Sequence, residues 1–177
     1  KYFDVSEENE HTLTIDGALY YRDEEEGFTL GEVPSGWKEF CLPEFVVNIS
    51  REAFNNAYFL EKITVEEGNL RYFSVDNLLC EKDDKENTVL LTVPGGLKGK
   101  FVVPDGIDII ATNAFKTCNK LTEVALSKNV KEVKYGAFGV TDVLAIVDIP
   151  SMTTEFSEDA KYFGENSFKW TIHCTYT

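Results

Sequence analysis

Chemistry in a chain of this kind would start from a nucleophile, an acid–base pair or a set of metal ligands, and the candidates are few. His11 lies beside Glu7, Glu8 and Glu10, and His173 stands next to Cys174. Acid–base catalysis needs such a group held in a cleft by a positioned polar partner, and no spacing here supplies one. Cys41, Cys80, Cys118 and Cys174 form no Cys-x-x-Cys pair, and neither histidine sits at a zinc-ligand spacing from them. Two charged stretches, Asp23–Glu26 and Lys82–Glu86, lack the Asp-x-Asp spacing and glycine of a calcium loop and read as solvated turn tips. Asn48-Ile49-Ser50 fits a glycosylation sequon, but Ile49 falls at an apolar repeat position. The expectation is therefore a protein that is not an enzyme, with no cofactor and no metal.

Composition narrows the partners. Seventeen Lys+Arg against thirty-one Asp+Glu give a formal charge of −14, which repels phosphate backbones and anionic lipid. Nucleic acid is excluded on that ground. No apolar run approaches the roughly 20 residues of a membrane span, so no membrane insertion is expected of this sequence. A hydrophobic fraction of 43%, with 13% aromatic residues, argues against disorder. The 177 residues suit a single domain, residues 1–177. The absence of an initiating Met suggests that Lys1 begins a mature chain or an excised piece of a longer one.

The elements that would position any functional residue are set by repetition. Ala114–Phe115 recurs as Ala137–Phe138, a step of 23 that also carries Phe101 and Val103 onto Val124 and Leu126, then onto Val147 and Ile149. A fixed period with apolar residues in register is the mark of a solenoid, whose coils bury their apolar sides only by stacking. A longer step of 60 places Val5, Ile15–Asp16 and Leu19 on Val65, Val75–Asp76 and Leu79. It becomes 61 after Gly99, taking Ala53–Phe54 onto Ala114–Phe115. Residues 5–65 and 65–126 are thus two modules, followed by a further coil (127–150) and a C-terminal cap or deformed coil (151–177). Each module carries an inserted segment, Leu13 to Val33 or Phe73 to Val93, that reads as two β-rich runs around a polar tip, a β-hairpin. Coil strands are expected near 3–5, 40–42, 63–65, 101–103, 124–126, 147–149 and 170–172. The first has no polar cap before it, which predicts lost neighbours on that side.

The run Phe101-x-Val103-Pro-x-x-Ile107-x-x-Ile110-x-x-x-Ala114-Phe115-x-x-Cys118-x-x-Leu121-x-x-Val124-x-Leu126 resembles the BspA-like, or Treponema pallidum type, leucine-rich repeats. Ile15-Asp-Gly-Ala-Leu-Tyr20 and Val75-Asp-Asn-Leu-Leu79 look like the hairpins that interrupt coils in that family. The resemblance covers about residues 3 to 150 and departs at Asn56-Ala57 and in the tail. It implies a β-rich solenoid, a right-handed leucine-rich repeat coil with about seven short parallel strands and two inserted hairpins. It also implies a non-catalytic extracellular or cell-surface protein of bacteria or some parasitic protists, linked to adhesion. The implied partner is a protein or glycan on host or neighbouring cells.

Contact residues are then sought on the outward side of the coil strands. Asp4, Cys41, Thr64, Val102, Ala125, Asp148 and Thr171 should form one row, with Thr64, Val102 and Ala125 its short, weakly polar middle. The row before it holds Glu39 and Lys62, then Lys100 and Glu123, expected as neighbours of opposite sign. The alternative for these rows is a solvated ladder that keeps the sheet soluble. On the inserted segments Trp37 and Tyr20 could form an aromatic platform for sugars, which would suit a carbohydrate-binding or targeting module attached to a larger secreted protein. Trp37 corresponds to Leu97, however, which favours packing. Inside, Phe54, Phe115 and Phe138 should stack as one ladder, and the cysteines should be buried free thiols, with a disulfide as the alternative.

Overall fold

The structure, a computed structural model, describes residues 2–6, 9, 11–23, 27–139, 141, 144, 146–150, 154–157 and 171–174. No helix occurs among them; the architecture is a β-solenoid of sixteen strands.

Each inserted segment folds as a three-stranded meander. In the first, β1 (Thr12–Ile15), β2 (Ala18–Asp23) and β3 (Gly27–Glu32) pair antiparallel in sequence order. The run that read as one strand bends at Asp16–Gly17, whose φ values of 52° and 89° fit the two-residue turn that matches strand twist. The coil then supplies β4 (Glu39–Leu42), β5 (Val46–Ile49) and β6 (Lys62–Val65). The same order follows as β7 (Tyr72–Val75), β8 (Leu78–Lys82), β9 (Thr88–Thr92), β10 (Gly99–Val102), β11 (Ile109–Ile110) and β12 (Leu121–Ala125). Here Asp76 and Asn77 turn at φ 49° and 65°. Strands β13 (Glu132–Val133), β14 (Ile146–Ile149), β15 (Glu155–Phe156) and β16 (Thr171–Cys174) complete the chain.

Two parallel sheets wall the coils. One joins β10, β12, β14 and β16; the other runs β15-β13-β11-β9 and continues antiparallel into β8 and β7. The 23-residue step is the register itself, since Phe101 pairs with Val124 and Val124 with Val147. The last coil is longer. Val147 pairs with Ile172, so Thr171 lies opposite Ile146 rather than Asp148, and the expected strand at 170–172 shifts to Thr171–Cys174. Most of the proposed cap, including Tyr162–Phe163, Phe168 and Trp170, lies outside the described residues, as does the tip at 24–26.

The meander β7–β9 is a septum. Leu78 and Cys80 face a core that extends to Ile149, whereas Leu79 between them faces a second core that reaches back to Ala18; all three side chains are buried. An apolar run without alternation suits a strand covered on both faces. Its turn docks against β6, where the Ile63 N–H donates to the Asn77 carbonyl at 3.0 Å. That edge is thereby taken. Strand β6 pairs with β4 in a two-stranded sheet and not with β10, so the coil sheet is broken between modules.

The same arrangement corrects two expectations. Residues 3–5 form no strand: the Phe3 N–H bonds to the Gly17 carbonyl at 3.3 Å, as Ile63 does to Asn77, but among the described residues no neighbouring coil strand pairs with them. The phenylalanine ladder is divided. Phe115 and Phe138 stack at 4.8 Å in one core, while Phe54 packs edge-on against Phe40 at 6.1 Å in the other. All three are buried.

Pro94-Gly95-Gly96 closes the septum against the preceding coil. The Gly96 N–H donates to Leu60 at 2.7 Å, and a Cβ on Gly96 would stand 2.6 Å from the Phe59 carbonyl oxygen. Only glycine permits that approach between two backbones.

Candidate functional site

On the coil sheet, β10, β12 and β14 set Val102, Ala125 and Asp148 side by side. Val102 is 59% exposed, an apolar side chain left in solvent at the edge of a row. Ala125 beside it is half-buried. One row away, Lys100 Nζ meets Glu123 Oε1 at 2.5 Å. This hydrogen bond, reinforced by the carboxylate charge, raises the Lys100 pKa above its ordinary value. Thr64 and Lys62 lie elsewhere: both are on β6, opposite Cys41 and Glu39, in the separate two-stranded sheet. The septum removes them from the row of Val102 and Ala125.

The aromatic platform does not form. Tyr20 is 1% exposed and packs edge-on against Phe45 at 5.9 Å; burial pushes its phenol well above the ordinary range. It faces the core because β2 alternates, with Ala18 and Tyr20 pointing inward. Trp37 packs against the same core at the edge, 6.2 Å from Phe40 and 6.5 Å from Tyr2. That is the place its counterpart Leu97 takes beside the core that extends to Ile149.

The remaining chemical candidates are occupied or isolated. Cys118 is buried and free, its thiol facing the Val93 carbonyl at 3.5 Å, and burial pushes its pKa up. Cys80 is likewise buried and free, whereas Cys41 is exposed, contrary to expectation, because it alternates outward between Phe40 and Leu42. Asp83 spends its carboxylate on its own turn, accepting from the Lys85 and Asn87 N–H groups and from Asn87 Nδ2. These bonds, that of the Asn87 side chain foremost, lower its pKa. Among the described residues no group of three or more His, Cys, Asp or Glu could hold a metal ion. His11 is exposed.

Sequence reasoning missed a cleft of about 660 Å³ on the opposite side, where the septum separates the second-side strands of the two modules. Arg71 spans its wall, bonding Glu81 Oε2 (3.1 Å), Asn48 Oδ1 (2.9 Å) and the Val47 carbonyl (3.2 Å). Its guanidinium lies 5.3 Å over the buried Tyr72 ring. Arg51, Lys116 and Lys134 also line the cleft. The only trace of it in the sequence is that these cations flank Ala53–Phe54, Phe115 and Ala137–Phe138, the most regular points of the repeat.

A stacked coil with a recurring Ala-Phe pair, whose small buried position three residues on is Ala57, Cys118 and Thr141 in turn, is matched over residues 98–175 by one family model, the BspA type leucine rich repeat region (6 copies). Residues 98–175 match the BspA-type leucine-rich repeat. The match extends through the tail that the sequence pattern left irregular, in keeping with the pairing of β16 on β14. No curated protein matches the chain. Among solved structures it is similar to a leucine rich cell surface protein from Faecalibacterium prausnitzii A2-165, 24% identical with a TM-score of 0.56, covering 76% of this chain and 41% of that one. It is also similar to the pneumococcal vaccine antigen PcpA, 22% identical with a TM-score of 0.54, over 72% of this chain and 29% of that one. The chain therefore spans less than half the length of either, and the likeness shows the fold alone.

Proposed function

We propose that the chain is a non-catalytic, extracellular binding or adhesion module that presents its repeat surface to a macromolecular partner. The observation that carries this reading is the coil sheet β10-β12-β14-β16, a stacked parallel surface on which Val102, at 59% exposure, adjoins the short side chain of Ala125. Repeat scaffolds offer broad, rigid faces of this kind, which suit macromolecules better than small substrates. The cell-surface description of the Faecalibacterium protein supports placement outside the cell. Fold alone names no ligand.

The test is capture of immobilised host extracellular proteins and cell-wall glycans by the wild type and by a Val102→Arg, Ala125→Arg double variant. Unpaired charge buried at a contact is costly, so a partner held by this sheet should be lost. Equal capture by the double variant would move the contact elsewhere, and turnover of any offered substrate would refute the non-catalytic reading.

A further inference from the structure

The cleft between the modules is electrostatically opposite to the rest of the chain. Among the described residues four cationic side chains line it, Arg51, Arg71, Lys116 and Lys134, against one carboxylate, Glu81, which Arg71 already engages. Arg51, Lys116 and Lys134 have no ion-pair partner among the described residues. In a protein of net charge −14, three such cations converging from three different coils leave a local excess of positive charge. A cleft bounded by protein concentrates such a field, and the acidic exterior repels anions from other faces.

The other lining groups indicate what kind of anion fits. Asn55, Asn113 and Thr112 offer donors and acceptors together, the pairing that sugar hydroxyls require. The Tyr135 ring, 46% exposed, lies at the cleft and can lie against a sugar face. Asn113 is held at φ 61°, a conformation Asn tolerates better than most residues. The volume of about 660 Å³ falls within the range of ligand sites and takes a short oligosaccharide rather than a single ion.

We infer that this cleft binds an acidic oligosaccharide, its carboxylate or sulfate groups held by Arg51, Lys116 and Lys134 and its ring against Tyr135. The inference rests on the binding-module reading and adds to it a second surface with a stated ligand class.

Isothermal titration calorimetry with the full chain tests it, using a heparin-derived hexasaccharide, an oligogalacturonate of the same length, a neutral maltohexaose and hexaglutamate. Binding of one or both acidic sugars is expected, weakening as salt is raised from about 50 to 300 mM because screening shortens the reach of each charge. Binding of only the sulfated probe assigns the anion as sulfate; binding of both assigns carboxylate as sufficient. A Lys116→Gln, Lys134→Gln double variant should bind at least about tenfold more weakly, since each lost charge-assisted hydrogen bond is worth a factor of that order. Arg51→Gln alone, at an exposed position, gives the same readout if the double variant folds poorly. Lys128→Gln, exposed and outside the cleft, should bind as the wild type does. Equal binding of maltohexaose or hexaglutamate, no binding of either acidic sugar, or an equal loss in Lys128→Gln would overturn the inference. A protein partner captured through Val102 and Ala125 would still leave the binding-module reading standing in that case.

Discussion

Truncating Phe115 tests whether the septum divides the core. The Phe115 ring is fully buried, stacks on Phe138 at 4.8 Å and meets Phe101 edge-on at 5.9 Å. Phe115→Ala removes a ring from a packed interior, which costs about 3–5 kcal/mol. At about 2–4 °C per kcal/mol for a chain of this length, Tm should fall by roughly 6–20 °C. Phe54→Ala should cost less, toward 3 kcal/mol, because Phe54 borders the cleft, where water can enter the space left. The decisive quantity is the coupling. Phe115 and Phe138 share a stacked contact worth about 0.5–1.5 kcal/mol beyond burial, so their double variant should deviate from additivity by that order. Phe54 and Phe115 lie in different cores, so their effects should add within about 0.5 kcal/mol. Urea unfolding of the three single and two double variants measures both cycles. A Phe54–Phe115 coupling as large as that of Phe115–Phe138 would refute the septum and restore a single ladder.

Further outcomes follow from the same geometry. Under non-denaturing conditions iodoacetamide should label Cys41 rapidly and leave Cys80 and Cys118 unmodified until the chain unfolds, read by peptide mass; a disulfide to Cys118 would contradict this. Gly96→Ala should destabilise by about 1–3 kcal/mol, since its Cβ meets the backbone oxygens of Phe59 and Leu60; an unchanged urea midpoint would show that the junction is slack. Burial raises the pKa of Tyr72 from 10.0 to about 12 and that of Cys80 from 9.0 to about 12. Both groups hold their protons more tightly when folded, so stability is full below pH 9 and declines as pH rises toward 12. Urea midpoints at pH 8, 10 and 11 should fall in that order, less steeply in Tyr72→Phe, and a flat profile would remove the buried-phenol account.

The coils were legible because their period is written in side chains. Each apolar position of the 23-residue step must meet its neighbour, and Phe101, Val124 and Val147 do so in register. The septum was not legible for two physical reasons. The turn at Asp76–Asn77 sits inside an apolar stretch and reads as a single strand unless its φ > 0 requirement is recognised. Its docking on β6 uses the backbone of Ile63 and Asn77, which leaves no mark on residue type. From that one hydrogen bond follow the misplacement of Thr64 and Lys62 in the row of Val102 and the division of the phenylalanines. Tyr20 was misassigned because two β-rich runs do not reveal which face of the meander is covered; its neighbour Tyr21 is the one in solvent. The cleft escaped notice since its cations come from coils far apart in sequence and converge only after folding.

The septum also changes what the natural increment of this architecture is. In an uninterrupted leucine-rich array any single coil can be duplicated, because each exposes the same apolar face to the next. Here Leu79 completes one core while Leu78 and Cys80 open another, so the chain has internal end plates. An inserted or deleted coil inside a module would carry its Ala-Phe pair past a plate with no partner waiting. A whole module arrives with its own plate and finds its neighbour's surface already shaped for it. Length across a septum is therefore quantised in steps of about sixty residues, whereas beyond it single coils of 23 residues stack directly, and spatial reach can be tuned by gene duplication without redesigning an interior.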